Sequence, residues 1–106
     1  MGVIVIVAYR PKAGQDEMLK QLVQAHVPIL RGEGLTTERA PLILRTKDGS
    51  ILEIFEWKST ESITQAHNNK IVNELWDKFH TACNYIAPSQ IPEFKDLFAA
   101  FEPVNW

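Results

Sequence analysis

The sequence predicts an α+β domain whose elements run β-α-β-β-α-β, followed by a C-terminal extension. Three observations carry that expectation. Residues 3–9 (VIVIVAY) form an apolar, β-branched run. Two amphipathic stretches with helical spacing separate the strand-like segments. Asp48-Gly49 sits between apolar runs, the pattern of a tight hairpin. With 106 residues, 45% hydrophobic and 23% charged, the chain is sized for one domain over residues 1–106 with one modest core. Residues 89–106 read as its extension.

The first strand is apolar on both of its faces, which fits a strand covered on both sides. Residues 10–14 (RPKAG) break it. Met18, Leu19, Leu22, Val23, His26, Val27 and Leu30 then recur at spacings of three and four, one face of a helix. Asp16 and Glu17 lie in its first turn, where the helix dipole favours acids. Pro28 is expected to kink or end this helix early, and Gly32 and Gly34 to terminate it. Residues 35–46 read as the second strand, interrupted at Pro41, which implies an edge or a bulge. Residues 51–57 are the third strand. Ser59 is the expected N-cap of the next helix, and Asn69 the cap of a fresh helix after the Asn68-Asn69 break. That helix is expected to carry Ile71, Val72, Leu75, Trp76, Phe79 and Ala82 on one face. Residues 83–87 form a short fourth strand, and residues 89–97 a brief helix. The tail contains Phe98, Phe101 and Trp106 and is expected to dock, on a partner, rather than float.

This order is the ferredoxin-like arrangement with an antiparallel sheet. Two helices cover one face and leave the other open. Pairing of two sheets in a symmetric homodimer is the simplest way to cover it.

Several classes are excluded by composition. A net charge of -2 with intermixed acids and bases is no nucleic-acid footprint. The longest apolar run is far too short to span a bilayer. The single Cys83 cannot form an internal disulfide, and no cysteine motif for metal exists. A reduced, cytoplasmic protein without membrane association is expected.

The element order, the strand ending "FEWKS" and the "AH" ten residues on resemble the dimeric α+β barrel superfamily, in its antibiotic biosynthesis monooxygenase-like branch. The resemblance covers roughly residues 3–88. It implies a small homodimer with a pocket between the helices and the concave sheet of each protomer. Enzymes of that kind oxidise electron-rich phenols and quinols with dioxygen and without a metal or flavin. Other members are isomerases, decarboxylases or haem-degrading enzymes. The haem-degrading members use an Asn on strand one, which this strand lacks. Their Trp and His positions fall here on Ala66 and Trp76.

His67 is the first candidate catalytic residue. It lies beside Ile63 and Ala66, and an imidazole can act as a base toward a phenol. The alternative is a histidine that bonds a backbone carbonyl at the helix break. Glu53 is the second. A two-residue Asp48-Gly49 turn would set Leu44 opposite Glu53, on a face shared with Leu42, Leu44, Ile51, Phe55 and Trp57. A carboxylate there is desolvated and a functional candidate, or one half of an ion pair. A register shifted by one residue moves the argument to Glu56. His26 points inward from the first helix. Trp57, Trp76, Tyr9 and Phe55 are core residues or pocket walls, and Arg10 could bind a carboxylate at the mouth. His80 reads as a surface or interface residue.

His26, His67 and Glu53 admit a metal site in principle, but no pair has the close helical spacing of such sites, and no cofactor is expected. Three functions follow. One is a cofactor-independent monooxygenase acting on a small aromatic or quinol-like compound, with His67 as base oriented by Glu53. The second is a dimer that binds a small ligand or supports an assembly. The third is an isomerase or decarboxylase on the same scaffold.

Overall fold

Strand β1 (Val3–Pro11) lies inside a five-stranded sheet of order β4-β1-β3-β2-β5. It pairs antiparallel with β3 (Ile51–Trp57) on one side and β4 (Cys83–Ile86) on the other. β2 (Leu42–Arg45) and the two-residue β5 (Glu102–Pro103) complete the antiparallel sheet. The computed structural model describes residues 2–106, and Met1 lies outside them. Three helices, α1 (Asp16–Gly32), α2 (Thr60–His67) and α3 (Lys70–Ala82), make this an α+β fold.

Helix α1 does not end at Pro28 but continues to Gly32. Pro28 forfeits one backbone bond, but Val27 and Leu30 beside it are buried, and that burial holds the last turn in place. The stop comes at Gly34, whose φ of 74° only glycine adopts readily. There Leu35 N–H donates to the Leu30 carbonyl at 3.0 Å and Gly34 N–H to that of Arg31 at 2.9 Å. This is a Schellman cap, with Leu30 and Leu35 in one core cluster. Ser59 caps α2 and Asn69 caps α3, as their sequence positions predict. Ile71 does not share the inner stripe of α3. Val72, Leu75, Phe79 and Ala82 are buried, whereas Ile71 is half exposed.

The hairpin departs from the expected two-residue turn. Thr46 N–H bonds Ser50 O at 2.9 Å and Gly49 N–H bonds Thr46 O at 3.1 Å. The result is a three-residue loop with Gly49 at φ 88°. Asp48 favours it, because its carboxylate accepts from the Thr46 hydroxyl and from Ser50 N–H. These bonds hold the carboxyl below its usual range. The register slips by one residue, so Ile43, not Leu44, faces Glu53. Leu44 packs on the opposite face, beside Leu52. Leu42, two residues away on the same strand, shares that opposite face and is exposed. Glu53 keeps its face, because alternation within β3 sets it with Ile51, Phe55 and Trp57. Glu56 lies on the other face, where Thr37 and Arg39 bond it.

β2 is shorter than residues 35–46. Only Leu42–Arg45 are strand, with one isolated bridge from Thr36 to Trp57. The expected helix over 89–97 is two short 3-10 turns, Pro88–Gln90 and Pro92–Lys95. Pro92 has no N–H for the Pro88 carbonyl, so that oxygen takes Ile91 N–H instead at 3.0 Å. From Phe101 on the tail docks on its own chain, whereas Phe98 stays exposed. Val104 N–H bonds Ile43 O at 2.9 Å, and Glu102 pairs with Arg45 at 3.2 Å.

Two layers result. The helices bury one face of the sheet. On the other, Ile91 and Phe101 cover Ala8 and Leu52, while Ile4, Ile6 and Leu42 stay exposed. Among the described residues no helix is long and apolar enough to cross a membrane.

Candidate functional site

Glu53 is fully buried on the helix-covered face, where a lone carboxylate would be costly. Its Oε1 is met by two side chains. Tyr9 Oη donates to it at 2.7 Å, and His26 Nδ1 lies at 2.7 Å. On the far side of the imidazole, Trp76 Nε1 is 3.0 Å from His26 Nε2. An indole N–H can only donate, so Nε2 is the acceptor and Nδ1 carries the proton given to Glu53. The four side chains form one directed chain, Trp76 to His26 to Glu53, with Tyr9 entering from the other side. Glu53 Oε2 has no hydrogen-bond partner among the described residues. Burial, and then the Glu53 carboxylate beside it, push the Tyr9 phenol well above its ordinary pKa.

Each member is fixed by its element. Tyr9 and Glu53 stand on neighbouring strands, two residues out of cross-strand register, on one face. His26 falls on the α1 stripe between Val23 and Leu30. Trp76 is one turn before His80 on α3. Phe79 clamps the group, with its ring 5.1 Å from both Tyr9 and His26.

Above this chain lies a cavity of about 360 Å³. The sheet supplies Val5, Val7 and Tyr9 from β1, Phe55 and Trp57 from β3, and Tyr85 from β4. The helices supply His26, Ile63, His67, Trp76 and His80. All three histidines and both tyrosines of the chain are on this wall, and no lysine, arginine, aspartate or glutamate is. Two rings edge the site: His67 meets Trp76 edge-on at 5.1 Å, and His80 meets Tyr85 at 5.2 Å.

Compared with protein-family models, curated proteins and solved structures, the chain matches none of them.

Of the residues singled out in the sequence, Tyr9, His26, Trp57, Trp76, Phe55 and His67 line the cavity, and Glu53 lies directly beneath it. The expected pairing of Glu53 with His67 is absent. Glu53 bonds His26 and Tyr9 instead, and His67 is exposed, with its carbonyl accepting from Asn73. Arg10 is not at the mouth. Its side chain is half exposed and pairs with Asp48 at 3.6 Å, because the hairpin loop curls back toward the end of β1. Among the described residues no three His, Cys, Asp or Glu side chains converge to hold a metal. His80 is exposed, as its reading as a surface or interface residue expects, and it also lines the cavity beside Tyr85, with Phe79 packed against Tyr9 and His26. The four-residue step from Trp76 to His80 puts both on one helix face and is a sequence signal for His80. Tyr85 has none, since only the β1–β4 register sets it opposite Tyr9. Cys83 is buried, and burial pushes its thiol up to about 11, as for a structural cysteine.

Proposed function

We propose that the chain binds a small aromatic, quinol-like compound in this cavity and acts on it as a cofactor-independent monooxygenase. The observation that carries the reading is the wall: eight aromatic or imidazole rings, no full charge, and one buried carboxylate tied to an imidazole beneath them. Such a wall stacks planar rings.

The chemistry follows from the Glu53–His26 pair. The carboxylate fixes the tautomer and leaves Nε2 as the basic atom. The Trp76 N–H occupies the place on Nε2 that a phenolic O–H would take. With the indole displaced by ligand, Nε2 takes the phenolic proton, and Glu53 stabilises the imidazolium so formed. The phenolate is electron-rich and reduces dioxygen. A ring C–H becomes C=O, the second oxygen atom leaves as water, and the substrate supplies all four electrons. His26 thereby replaces His67 as the base.

We likewise propose that the fold is ferredoxin-like and pairs as a dimeric α+β barrel. The order β4-β1-β3-β2 with helices on one face fits the ferredoxin-like arrangement. The exposed Ile4, Ile6 and Leu42 on the other face fit two copies packed as a dimeric α+β barrel.

One observation favours a second reading, a binder that does not turn its ligand over: Nε2 is already hydrogen-bonded by Trp76. Oxygen uptake with a panel of quinols and naphthols separates the two. The monooxygenase reading expects uptake in the wild type and its loss in His26→Gln. Uptake unchanged in His26→Gln sinks His26 as base. Thermal stabilisation by a naphthol without uptake supports the binder.

A further inference from the structure

The floor of the cavity offers a ligand no free donor, and the one unpartnered atom beneath it, Glu53 Oε2, does not line the cavity. The Tyr9 proton and the His26 Nδ1 proton are both given to Glu53, and His26 Nε2 is taken by Trp76. The remaining polar groups of the wall sit at its ends. His67 lies where α2 stops. His80 and Tyr85 lie together at the other end, with their rings 5.2 Å apart, and the positions of Asn69 and His80 are separated by about 16 Å of helix rise.

The two ends differ in chemistry. At the α2 end a single imidazole faces an indole that is already engaged. At the β4 end an imidazole and a phenol stand side by side, and the Lys12 ammonium donates to the His80 carbonyl at 2.7 Å. That end therefore carries two donors and a positive charge on its outer side. Burial pushes the Tyr85 phenol above its ordinary pKa, so it stays a donor.

We propose that His80 and Tyr85 are the specificity-determining pair of this site, and that they hold a hydroxyl or oxo substituent of a planar aromatic ligand whose apolar part fills the cavity. This rests on the reading of the cavity as an aromatic-binding site. It adds an orientation. While Trp76 holds His26 Nε2, a single hydroxyl of the bound compound is at the β4 end. The second oxygen of a quinol is the one left for His26, and a ring without an oxygen binds through the wall alone.

The test compares two probes by calorimetric titration, 2-naphthol and naphthalene, on the full chain. The wild type is expected to prefer 2-naphthol. His80→Ala and Tyr85→Phe should each cut that preference roughly threefold to tenfold, the worth of one hydrogen bond. Because both residues also line the wall, the readout is the ratio of the two affinities in each variant. Retained naphthalene binding together with an unchanged circular dichroism spectrum reports that the variant is folded. A preference that survives in both variants, or that is lost in His67→Ala instead, overturns the assignment. If neither probe binds the wild type, the aromatic-site reading itself fails and takes this orientation with it.

Discussion

The two faces of the sheet are built on different terms. Under the helices, aromatic rings enclose four polar side chains that bond one another, Tyr9, His26, Glu53 and Trp76, with Glu53 Oε2 left without a partner among the described residues. On the opposite face, Ile91 and Phe101 lie on Ala8, Leu52 and Leu44. A purely apolar contact tolerates small shifts, because burial is non-directional. The polar chain does not, because each donor without its acceptor costs a desolvated group. The face with the greater demand for geometry is the one that carries the cavity.

The largest expected effect tests whether both faces belong to one cooperative fold. Phe79→Ala should cost about 3–5 kcal/mol and Ile91→Ala about 2–5 kcal/mol in urea unfolding. An Ile91→Ala variant as stable as the wild type would show that the C-terminal cover is an ornament on the sheet. Phe79→Ala should also abolish ligand binding, since Phe79 holds both Tyr9 and His26.

A smaller effect sharpens the polar side of the contrast. Glu53→Gln keeps an acceptor at the Oε1 position but places an amide N–H₂ where Oε2 has no partner. It should cost about 1–3 kcal/mol and couple non-additively with Tyr9→Phe. Above pH 10 the unfolded chain gives up the tyrosine proton while the folded chain keeps it on Tyr9. Stability should therefore fall as pH rises past 10. Cys83 and Tyr85 are raised by burial too, so the decline begins near pH 9. Tyr9→Phe should make it shallower, and an identical alkaline slope in that variant would break the account of the chain.

The smallest effect on stability belongs to the exposed part of the outer face. Ile6→Asp should change unfolding by less than about 0.5 kcal/mol in a monomer. If two copies pair through this face, the same change should split a dimer seen by native mass spectrometry or sedimentation. A wild type that is monomeric throughout would leave Ile4, Ile6 and Leu42 as plain surface, and the dimer proposal would fall.

Local signals determined much of the scaffold. The α1 stripe, the Ser59 and Asn69 caps, the glycine stop and the face of Glu53 on β3 depend on neighbours within a few residues, where spacing dictates direction. The three-residue loop is also local, since Thr46 and Asp48 select it through bonds spanning two to four residues, but its consequence, a β2 register moved by one, is felt across the sheet. Tertiary structure decided what spacing cannot carry. The burial of Val27 and Leu30 overrode the helix-breaking tendency of Pro28. The choice of His26 over His67 as the partner of Glu53 was set by α1 crossing the sheet above β3, a contact spanning 27 residues of chain. Sequence periodicity places each side chain on a face. Only the packing of one face against another brings a donor within 3 Å of its acceptor.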